Sequence, residues 1–332
     1  MDTRPLGIVS LAILALSLSG CGGGGGGTAP PPPTSSAPTP TPAPAPAPSP
    51  TPSPTPAPTP APSPQAIEGP VALTQAAEFT TLSWAYRFTT APDGTFLEGS
   101  RDPNPSATVE FRYFAAERVH EVLLPGLQLG RLQTVDASRT DFTIQTLLER
   151  VSGNQVATLN LLRPGSLNTL FAAEYTSLGD WGAGRQENGR ILQNFGDFAY
   201  GIPTRASDMP RTGTATFQLF VFGGFGYLVG TGQIAVDFGA GTASGHMETD
   251  LNDGIGGIAR MARQELTDFR LGPDGTTFTA KFATPGSPSV IEGRFTGPQA
   301  VELMARWSVR APDPHNPGPL RTFYGVWIGR RA

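Results

Sequence analysis

Beyond residue 66 the chain shows almost no helical periodicity. Apolar and polar side chains instead alternate in short runs separated by Gly, Pro, Asn and Asp, as half-buried strands and their turns require. The alternation is tightest after Pro210. Ala215, Phe217, Leu219 and Val221 share one face, as do Ile234, Val236 and Phe238. Phe278, Ala280 and Phe282 repeat the pattern, followed by Val301, Leu303, Ala305, Trp307 and Val309. These runs predict eight strands, at 212–222, 227–238, 242–250, 264–271, 276–283, 290–296, 300–310 and 322–330. Turn residues fall between them at Phe238-Gly239-Ala240-Gly241, Pro273-Asp274-Gly275 and Gly297-Pro298, which supply the backbone freedom of tight connections. Eight antiparallel strands joined in sequence order suit a closed up-and-down barrel whose narrow bore is filled by side chains.

The expected fold class is therefore all-β: a β-rich domain over 66–206, then an eight-stranded antiparallel barrel over 207–332. In the first part the pattern predicts strands at 107–114, 120–124, 142–148, 155–161 and 170–175, with 145–151 open to a helical turn or two. The Gly-, Asn- and Asp-rich stretch 179–209 reads as a long structured connection. A transmembrane barrel competes for the same eight strands, but it needs an apolar outer face on every strand. Thr277, Thr279 and Lys281 lie opposite the Phe278 face, and Glu292 and Arg294 lie opposite Ile291. The non-membrane barrel is the expectation.

Composition divides the rest of the chain. Of 35 prolines in 332 residues, 18 fall within 30–64, in Pro-Ala, Pro-Thr and Pro-Ser repeats behind six consecutive glycines at 22–27. Such a tract cannot bury apolar area to offset its ordering entropy. It is expected to be a disordered stalk over 21–65, extended by its polyproline II bias to roughly 100 Å. Ahead of it, Arg4 precedes an uncharged, mostly apolar run at 6–18. About 20 residues are needed to cross a bilayer, so this run reads as the core of a signal peptide over 1–20. It ends in Leu18-Ser19-Gly20-Cys21, which resembles the lipobox of bacterial lipoproteins. The resemblance implies acylation of Cys21 and anchoring in membrane lipid. Position 22 is glycine rather than aspartate, and outer-membrane placement is expected, with the head periplasmic or at the cell surface.

Charge and rare residues then remove function classes. The net charge is −4, so a nucleic-acid partner held by phosphate neutralisation is not expected. One cysteine excludes an intramolecular disulfide or a cysteine-rich metal site, and three scattered histidines leave little for a histidine-built one. No G-x-S-x-G or H-E-x-x-H pattern occurs. Gly230-Thr231-Gly232-Gln233-Ile234-Ala235 matches a dinucleotide fingerprint in letters. A strand rather than a helix is predicted after it, so the glycines read as easing strand curvature. Asp250-Leu251-Asn252-Asp253-Gly254 offers oxygen ligands but lacks the spacing of a calcium loop, and reads as an exposed turn. His120, His246 and His315 are each single candidate ligands for haem or a metal, with an ordinary surface or core position the expectation for all three. No enzyme activity, cofactor or metal is expected.

Several segments resemble the transferrin-binding-protein-B-like lipoproteins. Met209-Pro210-Arg211-Thr212-Gly213 with Ala215 and Phe217 is similar to that family's opening barrel strand, and Val236-Asp237-Phe238-Gly239 to its second hairpin. Gly293-Arg294-Phe295-Thr296-Gly297-Pro298-Gln299-Ala300-Val301-Glu302 is similar to the family's Gly-x-Phe-x-Gly-Pro-x-Ala-x-Glu element. Phe323-Tyr324-Gly325-Val326-Trp327 fits its closing strand, and Tyr175 to Trp181 and Tyr200-Gly201-Ile202-Pro203-Thr204 fit upstream. One departure stands out: Leu303-Met304-Ala305 follows Glu302 where the family usually has a glycine pair. The resemblance covers about 175–332 and implies a handle domain plus barrel forming one lobe. Two-lobed relatives bind host transferrin; single-lobed ones include haem-scavenging surface proteins.

The expectation is a non-enzymatic surface lipoprotein that captures a protein or a haem or iron carrier. The alternative is an envelope-interaction lipoprotein without a small ligand. Candidate contact residues lie in two connections expected to open at one barrel end: Asn252 and Asp253 in the glycine-rich run 252–261, and His315 and Asn316 in the proline-rich run 312–319.

Overall fold

The structure is a computed structural model. It describes residues 77–332 except 93–94, 99–108, 115, 118, 125–126, 133–144, 163–164, 166–167, 169–170, 225–226, 253–256 and 285–287. The expected signal segment 1–20, Cys21, the stalk and Asp253 lie outside the described residues.

Two antiparallel sheets make up the described chain. The first contains β1 (Ala77–Thr90), β2 (Phe96–Glu98), β3 (Glu110–Phe114), β4 (Val119–Leu124), β5 (Leu127–Leu132), β6 (Gln145–Ser152), β7 (Gln155–Leu162), β8 (Thr176–Glu187) and β9 (Arg190–Gly201). Its order is β5-β4-β3-β1-β9-β8-β7-β6, with β2 on β1. The sheet curls around Phe79, Phe111, Leu159, Trp181, Phe198 and Tyr200.

The second contains β10 (Thr214–Gly223), β11 (Leu228–Asp237), β12 (Thr242–Asn252), the short β13 (Ile258–Arg260), β14 (Gln264–Leu271), β15 (Thr277–Phe282), β16 (Val290–Thr296), β17 (Glu302–Asp313) and β18 (Asn316–Arg331). Pairing of β10 with β18 and of β11 with β12 closes eight of these into a barrel. The alternating residues fill the bore, with Phe217, Phe278, Phe295, Leu303, Trp307 and Trp327 at its centre. Gly293 makes room there: a Cβ on it would stand 2.0 Å from the Phe278 ring. Gly230 and Gly232 lie on a strand, each too close to the β12 backbone for a Cβ, so the fingerprint letters serve strand approach.

Where the sequence alternates less, both faces are buried. Phe220, Phe222, Met304, Val326 and Ile328 point out of the barrel and pack against Trp84, Leu162, Leu178 and Ala199 of the curled sheet. A strand covered on both sides reads as a continuous apolar run. Met304, in the segment that departs from the family pattern, is part of this contact.

Two expectations for the first sheet are corrected. The stretch 179–209 is mostly a long hairpin, not a connection. Asn188-Gly189 turns it with φ of 49° and 70°, the backbone of a two-residue hairpin turn. Its glycines leave space for aromatic rings: a Cβ on Gly196 would lie 2.3 Å from Trp181. The described part of the strand expected at 142–148 does lie in β6, and the helical alternative for 145–151 falls away. Among the described residues of 170–175, 171–175 form no strand, because the backbone N–H groups of Glu174 and Tyr175 are taken by a side chain of the barrel, Glu302.

Candidate functional site

One end of the barrel collects four connections: β10–β11, β12–β14, β15–β16 and β17–β18. The run 312–319, expected to be a loop, is instead the tip of the β17–β18 hairpin, turning at Pro314-His315. The buried Asp313 carboxylate makes this tight reversal: it accepts from the N–H of His315 at 2.9 Å and of Asn316 at 3.3 Å, and pairs with Arg321 at 2.7 Å. Prolines can stand in the extension because its outer edge needs few ladder donors.

The tip reaches the neighbouring connection. His315 Nε2 lies 2.8 Å from the Leu251 carbonyl, and the Asn252 N–H donates to the Tyr227 carbonyl at 2.8 Å. Asn252, His315 and Asn316 therefore stand at the same end. Of the five large apolar side chains exposed among the described residues, Tyr227, Ile258, Val290 and Leu320 are at or beside this end; only Leu97 is elsewhere. Around the flank, Arg260 forks onto both Asp250 oxygens at 2.8 and 3.1 Å, and Arg263 bonds Glu265 at 2.6 Å. Asp250 is thus occupied by a guanidinium. An exposed apolar group rimmed by charge suits contact with a macromolecule.

A second constellation joins the sheets. Buried Glu302 accepts from Glu174 N–H at 2.7 Å, Tyr175 N–H at 2.9 Å and the Thr176 hydroxyl at 2.5 Å. Burial pushes its carboxyl above the usual range, although these donors pull it down. Gly297, at φ 70°, admits the Tyr175 ring; a Cβ there would lie 2.6 Å from it. The Thr204 hydroxyl donates to the Gly297 carbonyl at 2.7 Å, and Gly297 N–H to the Ile202 carbonyl at 2.9 Å. The Gly-Pro-x-Ala-x-Glu element and the Tyr200 to Thr204 segment thus meet, and their chemistry is that of a joint.

The curled sheet buries polar groups. On its barrel-facing side Trp84, Asp197, Asp180 and Asn160 are consecutive cross-strand partners. Burial raises the Asp180 carboxyl to about 7, opposed by the Asn160 amide, which donates to it at 3.0 Å. Tyr86 is raised by burial, then by the neighbouring Asp197. On the opposite side His120 stacks on Phe111 at 5.7 Å, both ring nitrogens lack a hydrogen-bond partner, and burial lowers its pKa to about 4. It is a neutral core imidazole. His246 lies in mid-strand on β12, apart from both. Among the described residues no three His, Cys, Asp or Glu side chains gather to hold a metal ion.

Sequence reasoning grouped Asn252, His315 and Asn316 at this end, and its run 252–261 contains Ile258, but it did not single out Tyr227, Val290 or Leu320, because exposure of an apolar residue next to a turn is not written in local alternation. It identified Glu302 only as a motif letter.

A closed eight-stranded barrel beside a curled antiparallel sheet is the two-part architecture implied by the lipoprotein resemblance. No protein-family model matches the sequence. No curated protein matches it either. Among solved structures the chain is similar to HpuA from Kingella denitrificans in complex with human haemoglobin, at TM-score 0.39 and 12% identity over 79% of this chain and 88% of that one. It is also similar to isotype 1 transferrin-binding protein B from serogroup B Neisseria meningitidis, at TM-score 0.30 and 16% identity over 76% and 43%. Kievitone hydratase from Nectria haematococca follows at TM-score 0.21 and 12% identity over 79% and 90%.

Proposed function

We propose that this protein is a lipid-anchored lipoprotein of the outer membrane, exposed at the cell surface, that binds a protein partner without catalysing a reaction. The partner class is an iron- or haem-carrying protein, and the barrel end bearing His315 is the contact surface. The observation that carries this is the gathering of Tyr227, Ile258, Val290 and Leu320 at that end. A filled bore leaves contact to the surface, and aromatic and aliphatic anchors inside a polar rim are what protein interfaces use. The sequence resemblance to transferrin-binding-protein-B-like lipoproteins supplies the carrier class.

The test uses haemoglobin and transferrin, each immobilised, with the whole protein in solution. One of them should bind. Changing Ile258 and Leu320 together to serine should weaken binding by at least tenfold, about 1.4 kcal/mol, while the melting temperature holds. Binding to neither carrier, or equal binding by the variant, overturns the assignment.

Anchoring has its own test, from Leu18-Ser19-Gly20-Cys21. Cys21→Ser should abolish acylation and release the protein from the membrane fraction. A variant still recovered wholly with outer membranes would refute the lipid anchor.

A further inference from the structure

A cleft of about 370 Å³ opens between β1 and the outer face of β14, β15 and β16, on the flank of the barrel rather than at its end. The register explains what lines it. Arg270 on β14 lies opposite Thr279 on β15, and Thr277 on β15 lies opposite Arg294 on β16. Two arginines therefore stand two strands apart and two residues out of register, about 12 Å, with threonine hydroxyls between them. Two guanidinium arms can converge across that distance on one anion. Thr80 of β1 closes the facing wall, and Leu82 beside it adds apolar surface.

The cleft carries an excess of positive charge. Glu292, the carboxylate in its lining, is already held by Arg306 at 2.7 and 2.5 Å. Asp274, outside the lining, offsets Arg294 in part through its field, while its oxygens accept from the N–H and hydroxyl of Thr276. Among the described residues neither Arg270 nor Arg294 has an ion-pair or hydrogen-bond partner, in contrast to Arg260, Arg263 and Arg306. In a chain of net charge −4, two unpaired guanidinium groups in one concavity form a local anion trap.

We propose that this cleft binds an acidic sugar unit, a monosaccharide carrying a carboxylate or a phosphate. Arginine forks match the two or three oxygens of such a group, threonine hydroxyls match ring hydroxyls, and the Leu82 surface takes the C–H face of the ring. The volume falls in the range of small-molecule sites. The site is independent of the carrier contact at the barrel end.

Calorimetric titration of the whole protein with glucuronate, glucose 6-phosphate, glucose and inorganic phosphate tests it. At least one of the two acidic sugars should bind saturably, and glucose at least about tenfold more weakly. The preferred acid tells a uronate from a sugar phosphate. Arg270→Gln and Arg294→Gln should each weaken binding about tenfold or more, and Thr279→Val less, all with an unchanged melting temperature. Arg185→Gln, on the exposed tip of the β8–β9 hairpin and paired with Glu187, should bind as wild type does. The proposal is overturned if neither acidic sugar binds, if inorganic phosphate binds as tightly as they do, if glucose matches them, or if both arginine variants retain full affinity.

Discussion

Glu302→Ala is expected to cost about 4 kcal/mol of folding stability. Three donors from the segment leading into β8 converge on this one carboxylate, which is 3% exposed. Alanine leaves two backbone N–H groups and a hydroxyl facing a void from which water is largely excluded, and stranding buried donors costs more than the bonds themselves contribute. Glu302→Gln should cost about half as much, since its amide carbonyl still accepts while its NH₂ confronts other donors. The loss should be local at first: amide exchange at Glu174, Tyr175 and Thr176 should accelerate before the barrel amides respond. Glu292→Gln serves as comparison, because that carboxylate is half-exposed and its pair with Arg306 contributes at most about 1 kcal/mol. Chemical denaturation of the three variants decides the matter. A Glu302→Ala protein within 1 kcal/mol of wild type would mean that the joint is held by the apolar contact alone.

The second large effect is a pair of opposed pH dependences inside the curled sheet. His120 has a folded pKa of about 4 against 6.5 in the unfolded chain. Its neutral burial favours folding fully above 6.5, and that stability is lost as pH falls toward 4, because the unfolded chain binds the proton first. Asp180 has a folded pKa of about 7 against 3.8. Its protonated form suits the fold, so stability declines as pH rises from about 4 through 7. Between pH 4 and 6.5 the two slopes oppose each other.

Removing one group should expose the other. His120→Phe keeps the aromatic packing against Phe111 and Tyr113 and removes the titrating ring. Relative to wild type it should gain about 3 kcal/mol between pH 7.5 and pH 4. Asp180→Asn keeps a partner for Asn160 and relieves the charge beside Asp197. It should gain on the order of 2 kcal/mol between pH 4 and pH 8, less than full burial implies because the side chain keeps some access to solvent. Denaturation midpoints at six or seven pH values give both difference curves. Curves that stay flat, or slope the same way, would show that these groups titrate normally in the folded protein.

The barrel was legible in the sequence strand by strand. Its strands have one face in the bore and most have the other in water, so burial writes a period of two into the chain, and observed strand limits differ from the alternation by a few residues. The curled sheet was less legible. β1 was not anticipated, and β8 and β9 were taken for a connection, because their glycines lower strand propensity. Those glycines are there for the Trp84 backbone and the Trp181 ring, neighbours that local periodicity cannot report. The Asn188-Gly189 pair was the available signal for that hairpin. At the candidate site, His315 and Asn316 were correctly grouped with Asn252 at one barrel end, but as a loop; prolines in 312–319 concealed a hairpin set by Asp313.

Sequence alone therefore determined what depends on neighbours along the chain: the all-β character, the eight barrel strands, their inward faces and their turns. The tertiary structure decided what depends on residues far apart. Glu302 meets Tyr175 across 127 positions, Met304 and Phe220 turn outward into a second sheet, and Arg270 and Arg294 share a cleft because β15 pairs with both their strands. Alternation records whether a side chain is buried, since desolvation acts on each residue separately; it carries no record of which partner does the burying, since that is set only when the chain closes on itself.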